Sequence, residues 1–414
     1  MGYTKSFIRG VSWVSAARIL FRFFSFIKIV ILARILTPDQ FGVFTIAYLV
    51  YGLSDIFTEI GIDMVLVQSK ENLSKYIDSA WVVTIIRGII MCLCIIVAAP
   101  FVSYFFHNKE SLNLILWISI IPLIQGLINP AEVNFQKELL FKTEFFFRSI
   151  ISIFEVTATI IIVLILKTPV GLVYGLILGV MFEMIISHIL LKPKPKFIFH
   201  KEQISLFFHK GKWITYSGIF DYLYRNTDNI MIGRILGSSA LGLYDLVYKI
   251  SMLPITEVTD VISRVTFPLY VKLSGDNKRL KRAFLRTTLG TSLIILPIGI
   301  ILFLFPKEII GIVFGPKWIG GSLVLQVLAG FGIVRALSNS TSSLFMALTK
   351  QKYAAILSFV SFIILLVTIV PFIGIFGLVG AAYSVIISSF VVLVLTAIFL
   401  WKAFGDNERL EYER

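Results

Sequence analysis

The chain has almost none of the residues that build metal or thiol chemistry: two cysteines and four histidines in 414 residues. A structural zinc site wants about four convergent N or S ligands. Cys92 and Cys94 stand two apart on one apolar run, pointing to different sides of a helix, so they are expected neither to bridge nor to hold a metal. Charge is equally sparse, at 15% of residues, and no external link is long enough for a catalytic domain. No nucleophile motif and no Gly-rich phosphate loop appears, so no catalytic residues are assigned and an enzyme such as a polymerase or ligase is not expected.

What is abundant is hydrocarbon. The chain is 57% hydrophobic with a mean hydropathy of +0.90, a composition for a membrane rather than for a soluble domain. A helical span needs about 20 mostly apolar residues. About twelve candidates begin near residues 12, 42, 80, 112, 146, 170, 213, 241, 288, 323, 353 and 376. The expectation is an all-α integral membrane protein. The first span carries Arg18, Arg22 and Lys28 and lacks a small-residue cleavage site, so it does not read as a signal peptide.

The net charge of +14 would suit nucleic acid, but the position of the bases assigns it to topology. External links hold only Arg34, Lys109, Lys167, Arg234, Lys307 and Lys317, whereas the links on the other side hold most of the remainder. This bias places both termini in the cytoplasm. Two basic segments are the longest polar stretches. One, 192–212, opens with two prolines that block a helix and reads as a linker. The other contains Lys278, Arg279, Lys281, Arg282 and Arg286, either an ordinary inner loop or a basic stretch against the anionic inner leaflet.

The chain also repeats itself. Trp13, Arg34, Ile35, Leu36, Gly42 and Tyr48 return 200 positions later as Trp213, Arg234, Ile235, Leu236, Gly242 and Tyr248, with Phe44 opposite Tyr244. Leu127, Asn129 and Phe135 match Leu337, Asn339 and Phe345, and Gly171-Leu172-Val173 matches Gly377-Leu378-Val379. Two copies of a six-helix bundle are expected, 1–191 and 213–414, pseudo-symmetric and joined by 192–212. Transporters commonly use such repeats to alternate access.

Charges at bilayer depth cost about 2.5 to 3.5 kcal/mol or more, so they pair or line a watery cavity. Arg18, Arg22 and Lys28 share a face of the first span; Asp221, Arg225 and Asp228 share one of the seventh. Tyr48, Tyr51, Asp55 and Glu59 stripe the second, and Asp245 with Lys249 opens the eighth. Arg335, Glu155 and Glu183 stand singly on other spans. Two readings stay open: interhelical ion pairs, or ligands. Arginine's planar fork suits phosphate oxygens, which makes Arg18, Arg22, Lys28, Arg225 and Arg335 candidates for an anionic cargo. Glu155, Glu183, Asp221 and Asp228 are candidates for a coupling H⁺ or Na⁺. No other cofactor is expected.

Several segments carry a resemblance. Ala33-Arg34-Ile35-Leu36-Thr37-Pro38-Asp39-Gln40-Phe41-Gly42, the run Asn226 to Gly237, Phe135 to Lys142, Phe267-Pro268-Leu269-Tyr270 and Phe314-Gly315-Pro316-Lys317-Trp318 resemble the polysaccharide flippases, the Wzx-like branch of the multidrug, oligosaccharidyl-lipid and polysaccharide exporter superfamily. The resemblance implies a V-shaped twelve-helix transporter in a bacterial or archaeal cytoplasmic membrane. It would move an undecaprenyl-pyrophosphate-linked oligosaccharide to the outer leaflet for lipopolysaccharide or other surface polysaccharide, alongside partners such as a polymerase. Related lipid II flippases hold pyrophosphate with first-helix arginines, a role only Arg18 and Arg22 match here; the lipid II branch's extra C-terminal helices are missing, so another cargo is expected. The alternative within the superfamily is a drug or cation antiporter, which would want a carboxylate-rich cavity without a cationic first helix.

Overall fold

A computed structural model describes residues 2–58, 66, 76–198, 219 and 222–412, and among them all regular structure is helical. The helices are α1 (Gly2–Ile35), α2 (Pro38–Thr58), α3 (Ile77–Phe105), α4 (Glu110–Ile118), α5 (Ile120–Gly126), α6 (Phe141–Leu166), α7 (Val170–Leu190), α8 (222–236), α9 (Ser238–Leu273), α10 (Asn277–Leu304), α11 (Pro306–Val313), α12 (Ser322–Ala347) and α13 (Gln351–Tyr412). By length and apolarity alone, six of the described helices qualify to cross a membrane. Taken together as one broken span, Glu110–Gly126 and Pro130–Lys137, angled by 67°, add a seventh. α1, α2 and α9 have the length but carry the charges named above. α13 runs 62 residues, about 93 Å if straight, some three times the hydrocarbon thickness. It is two rods, broken where Gly377 takes φ +59°. Counted so, α1, α2, α3, α4 with α5, α6 and α7 make one set of six, and α8, α9, α10, α12 and the two arms of α13 make the other. The protein is an all-α, multi-pass membrane protein.

The chain forms two compact units. The first holds 1–226 with 237–239, the second 227–236 with 240–414. The start of the 192–212 segment is tied into the first unit: the Lys196 amide donates to Asp78 Oδ1 at 2.7 Å, and Asn129 Nδ2 donates to the Pro193 carbonyl at 3.3 Å. The rest of that linker, from 199, lies outside the described residues.

In the first unit α6 packs along α7 and α1, and α5 along α3. Small residues permit the approach. Gly171, Gly175 and Gly179 form a one-sided stripe on α7, and a Cβ on Gly175 would stand 2.1 Å from Thr159 Oγ1. Between apolar helices in lipid there is little hydrophobic gain in touching, so close backbone packing of this small-xxx-small kind supplies the contact energy. In the second unit α12 packs on α10 and on α13. Tyr270, Leu280, Phe284, Leu344 and Ala347 gather the ends of α9, α10 and α12 with Leu400 and Phe404 of α13.

Local backbone geometry repeats more faithfully than the sequence does. Leu139 and Thr349, 210 apart, both take positive φ, +54° and +56°. Around them the Leu140 amide donates to Phe135 O and the Lys350 amide to Phe345 O, each at 2.8 Å. This is the same helix C-cap made twice. Lys167 and Gly377, again 210 apart, are both left-handed at +51° and +59°. The Gly171 to Gly377 match of the sequence is therefore corrected: Gly171 lies within α7, while Gly377 is the counterpart of Lys167.

Candidate functional site: intramembrane charges

α2 begins with Thr37-Pro38-Asp39-Gln40, a capping box: the Thr37 amide donates to Gln40 Oε1 at 3.0 Å and the Gln40 amide to Thr37 Oγ1 at 3.3 Å, with proline at the first helical position. This fixes where α2 starts and so how its polar stripe is aimed. Phe44, Tyr48 and Tyr51 follow at helical spacing, their ring centroids 5.7 and 5.6 Å apart in succession. The Tyr51 hydroxyl accepts from Gln125 Nε2 at 2.9 Å.

Of the cations nominated on α1, Arg18 is half-buried and Arg22 exposed. Lys28 is mostly buried and its Nζ lies 2.9 Å from Glu155 Oε1 on α6. Thr159 Oγ1 donates to the same carboxylate at 3.3 Å. Gly179 of α7 gives the acid room, since a Cβ there would meet Glu155 Cγ at 2.4 Å. Lys28 and Glu155, nominated for separate roles, are thus one ion pair. Glu183 is drawn to Arg148 on α6, at 4.0 Å from Nη1; the same guanidinium meets Glu144 at 3.1 Å and Glu132 at 3.6 Å. Asp221 and Glu59 lie outside the described residues.

The second unit is built otherwise. Asp228, 5% exposed, accepts from the Tyr244 hydroxyl and from the Asn229 amide, each at 2.8 Å. Among the described residues no cation reaches it. Tyr244 stacks on Tyr248 at 5.9 Å, and the Tyr248 hydroxyl accepts from Arg335 Nη1 at 3.2 Å. Arg335 also sits over the Phe331 ring at 5.5 Å, an arrangement an aromatic face favours electrostatically. A continuous polar and aromatic path therefore links Asp228 to Arg335, two residues the sequence nominated for different purposes. Arg225 is exposed. Asp245 and Lys249 pair at 2.6 Å.

Sequence reasoning missed Gln125, Arg148 and Tyr244 as partners. One signal was available: at the offset of 210 that aligns Phe135 with Phe345, Gln125 falls on Arg335. Both donate to a tyrosine hydroxyl, of α2 and of α9 respectively. For Arg148 the i,i+4 spacing from Glu144 was legible, but no signal pointed to Glu132 and Glu183, which come from other elements. Among the described residues no cluster of three or more His, Cys, Asp or Glu is placed to hold a metal ion.

The two units, with charged and tyrosine-rich polar positions at membrane depth, form an all-α multi-pass membrane fold. Two solved structures share that fold: a lipid II flippase in an inward closed conformation, TM-score 0.72 at 14% identity, covering 96% of this chain and 90% of that one, and a multidrug resistance transporter in an inward-facing conformation, TM-score 0.71 at 14% identity, covering 93% and 95%. Those near-equal scores leave the branch open. The family does not: residues 31–323 match the model described as polysaccharide biosynthesis protein, and the chain belongs to that family. Its relatives include a teichuronic acid biosynthesis protein of Bacillus subtilis, 25% identical over 83% of this chain and 72% of the relative. Another is a lipopolysaccharide biosynthesis protein of Escherichia coli, 23% identical over 84% and 71%.

Proposed function

We propose that the protein is a flippase that carries a polyprenyl-pyrophosphate-linked oligosaccharide from the inner to the outer leaflet of the cytoplasmic membrane for surface polysaccharide assembly. The observation that carries the reading is a cationic first helix in a chain of the polysaccharide biosynthesis family. Bringing a pyrophosphate through hydrocarbon without counter-charges would be prohibitive. Arg18 and Arg22 of α1 take the pyrophosphate in this reading, and Lys28 pairs with Glu155. Arg225 and Arg335 complete the cationic set, and the chain works with both termini in the cytoplasm beside assembly partners such as a polymerase.

For coupling, Asp228 is the best placed of the nominated acids among the described residues. Glu155 and Glu183 face cations, whereas Asp228 rests on neutral donors, so taking up H⁺ or Na⁺ there breaks no ion pair. Surface polysaccharide measured in cells carrying Arg22→Ala or Arg22→Lys tests the cargo role. Alanine is expected to abolish export and lysine to retain part of it; full export by both would remove the pyrophosphate role.

A further inference from the structure

α10 carries two surfaces in register. Asp276 caps it, accepting from the Arg279 amide at 2.9 Å, and the helix then runs unbroken through Leu304. Its inward side is set by Leu280, fully buried, and Phe284, 7% exposed, both in the core with Tyr270 and Leu344. At about 100° per residue, Lys278, Arg279, Arg282 and Arg286 point away from that core within an arc of about 100°, and Lys281 stands about 60° to one side of Lys278. All five are exposed. Arg279 meets Asp276 at 3.1 Å; among the described residues the other four make no ion pair.

Directly onward along the same face come Leu285, Leu289, Leu293, Leu296 and Ile300, each exposed, Leu293 at 74%. They fall in an arc of about 80° centred between the directions of Lys278 and Arg282. In a membrane-spanning helix such a face lies against acyl chains. The helix therefore presents a cationic patch at one leaflet boundary and a hydrocarbon track immediately beneath it, which is the shape of a phospholipid.

We propose that the first turns of α10 bind phosphate headgroups of anionic membrane phospholipids, whose acyl chains lie along the leucine track. The continuity of the two surfaces favours a lipid over an acidic protein, which would meet the charges alone. The breadth of the patch, about 12 Å along the axis from Lys278 to Arg286, exceeds what one diphosphate fills and suits several monophosphate headgroups. Arginine offers these oxygens bidentate hydrogen bonds as well as charge. The inference rests on the membrane-spanning fold and not on the flippase reading.

The test uses the full chain purified in detergent, with phosphatidylglycerol and phosphatidylcholine of matched acyl chains as probes and native mass spectrometry as the readout. Each basic residue near an anionic surface is worth about fivefold in affinity, so the wild type is expected to prefer phosphatidylglycerol by at least about tenfold. The variant Lys278→Gln, Arg279→Gln, Lys281→Gln, Arg282→Gln, Arg286→Gln is expected to lose that preference. Arg279→Lys, Arg282→Lys, Arg286→Lys is expected to keep most of it. An independent arm raises salt on the wild type alone, which is expected to erode the preference as exposed charges are screened. The proposal is overturned if the glutamine variant retains the preference, if salt leaves the wild type unchanged, or if equimolar polyprenyl diphosphate displaces the phosphatidylglycerol, which would make the patch a cargo site.

Discussion

The two units solve one problem, a polar group buried at membrane depth, by opposite means. Where the first unit has Lys28, the second has Asp228, 200 positions on. Lys28 is answered by a charge, Glu155; the position of Glu155 in the second unit, by the 210 offset of the left-handed residues, is Leu365, which is buried. Asp228 is answered by a hydroxyl, that of Tyr244, where the first unit has Phe44. Each unit thus carries one half of a different pair, and the halves do not interchange.

Making either unit imitate the other would break this contrast, and the steepest losses come where backbones touch. Gly175→Leu in the first unit and Gly380→Leu in the second both drive a side chain into backbone or a neighbouring helix, at 2.1 Å from Thr159 Oγ1 and 1.9 Å from Phe372 O. Each is expected to cost about 3 kcal/mol or more, read as loss of monodisperse protein and a lowered thermal midpoint. Equal tolerance at either position would show that the tight pairing is not shared.

Glu155→Leu, which copies the second unit, strands Lys28. Removing one partner of a buried pair costs about 3 to 5 kcal/mol, and because both groups keep about a fifth of their exposure about 2 kcal/mol is expected. Adding Lys28→Met is expected to restore the thermal midpoint; no recovery would mean that the pair is not the reason for the loss. A smaller effect is expected of Tyr244→Phe, which copies Phe44 and leaves Asp228 with backbone donors alone. About 1.5 kcal/mol follows for a hydrogen bond to a charged group, together with altered pH or Na⁺ dependence of export. Unchanged ion dependence in both Tyr244→Phe and Asp228→Asn would take Asp228 out of coupling.

The mildest substitution is Arg335→Gln, which copies Gln125 and keeps a donor for the Tyr248 hydroxyl. Stability is expected to hold within about 0.5 kcal/mol while export falls. Export at the wild-type level would show that Arg335 serves packing alone.

The sequence alone revealed the membrane, the number of crossings and the duplication, because hydropathy and turn chemistry act locally: a run of apolar residues is helical in lipid wherever it packs, and a Thr-Pro-Asp-Gln link caps a helix by itself. It also listed the charges that matter. Which of those charges meet was settled by tertiary structure, since Lys28 and Glu155 are 127 positions apart and Arg148 draws Glu132, Glu144 and Glu183 from three elements. Pairing between helices depends on axial register and rotation, and helical periodicity constrains neither. The repeat narrowed that choice at Gln125 and Arg335, where both copies kept the same contact. It could not do so at Lys28 and Asp228, where the two units placed opposite charges and only packing decided what answers each.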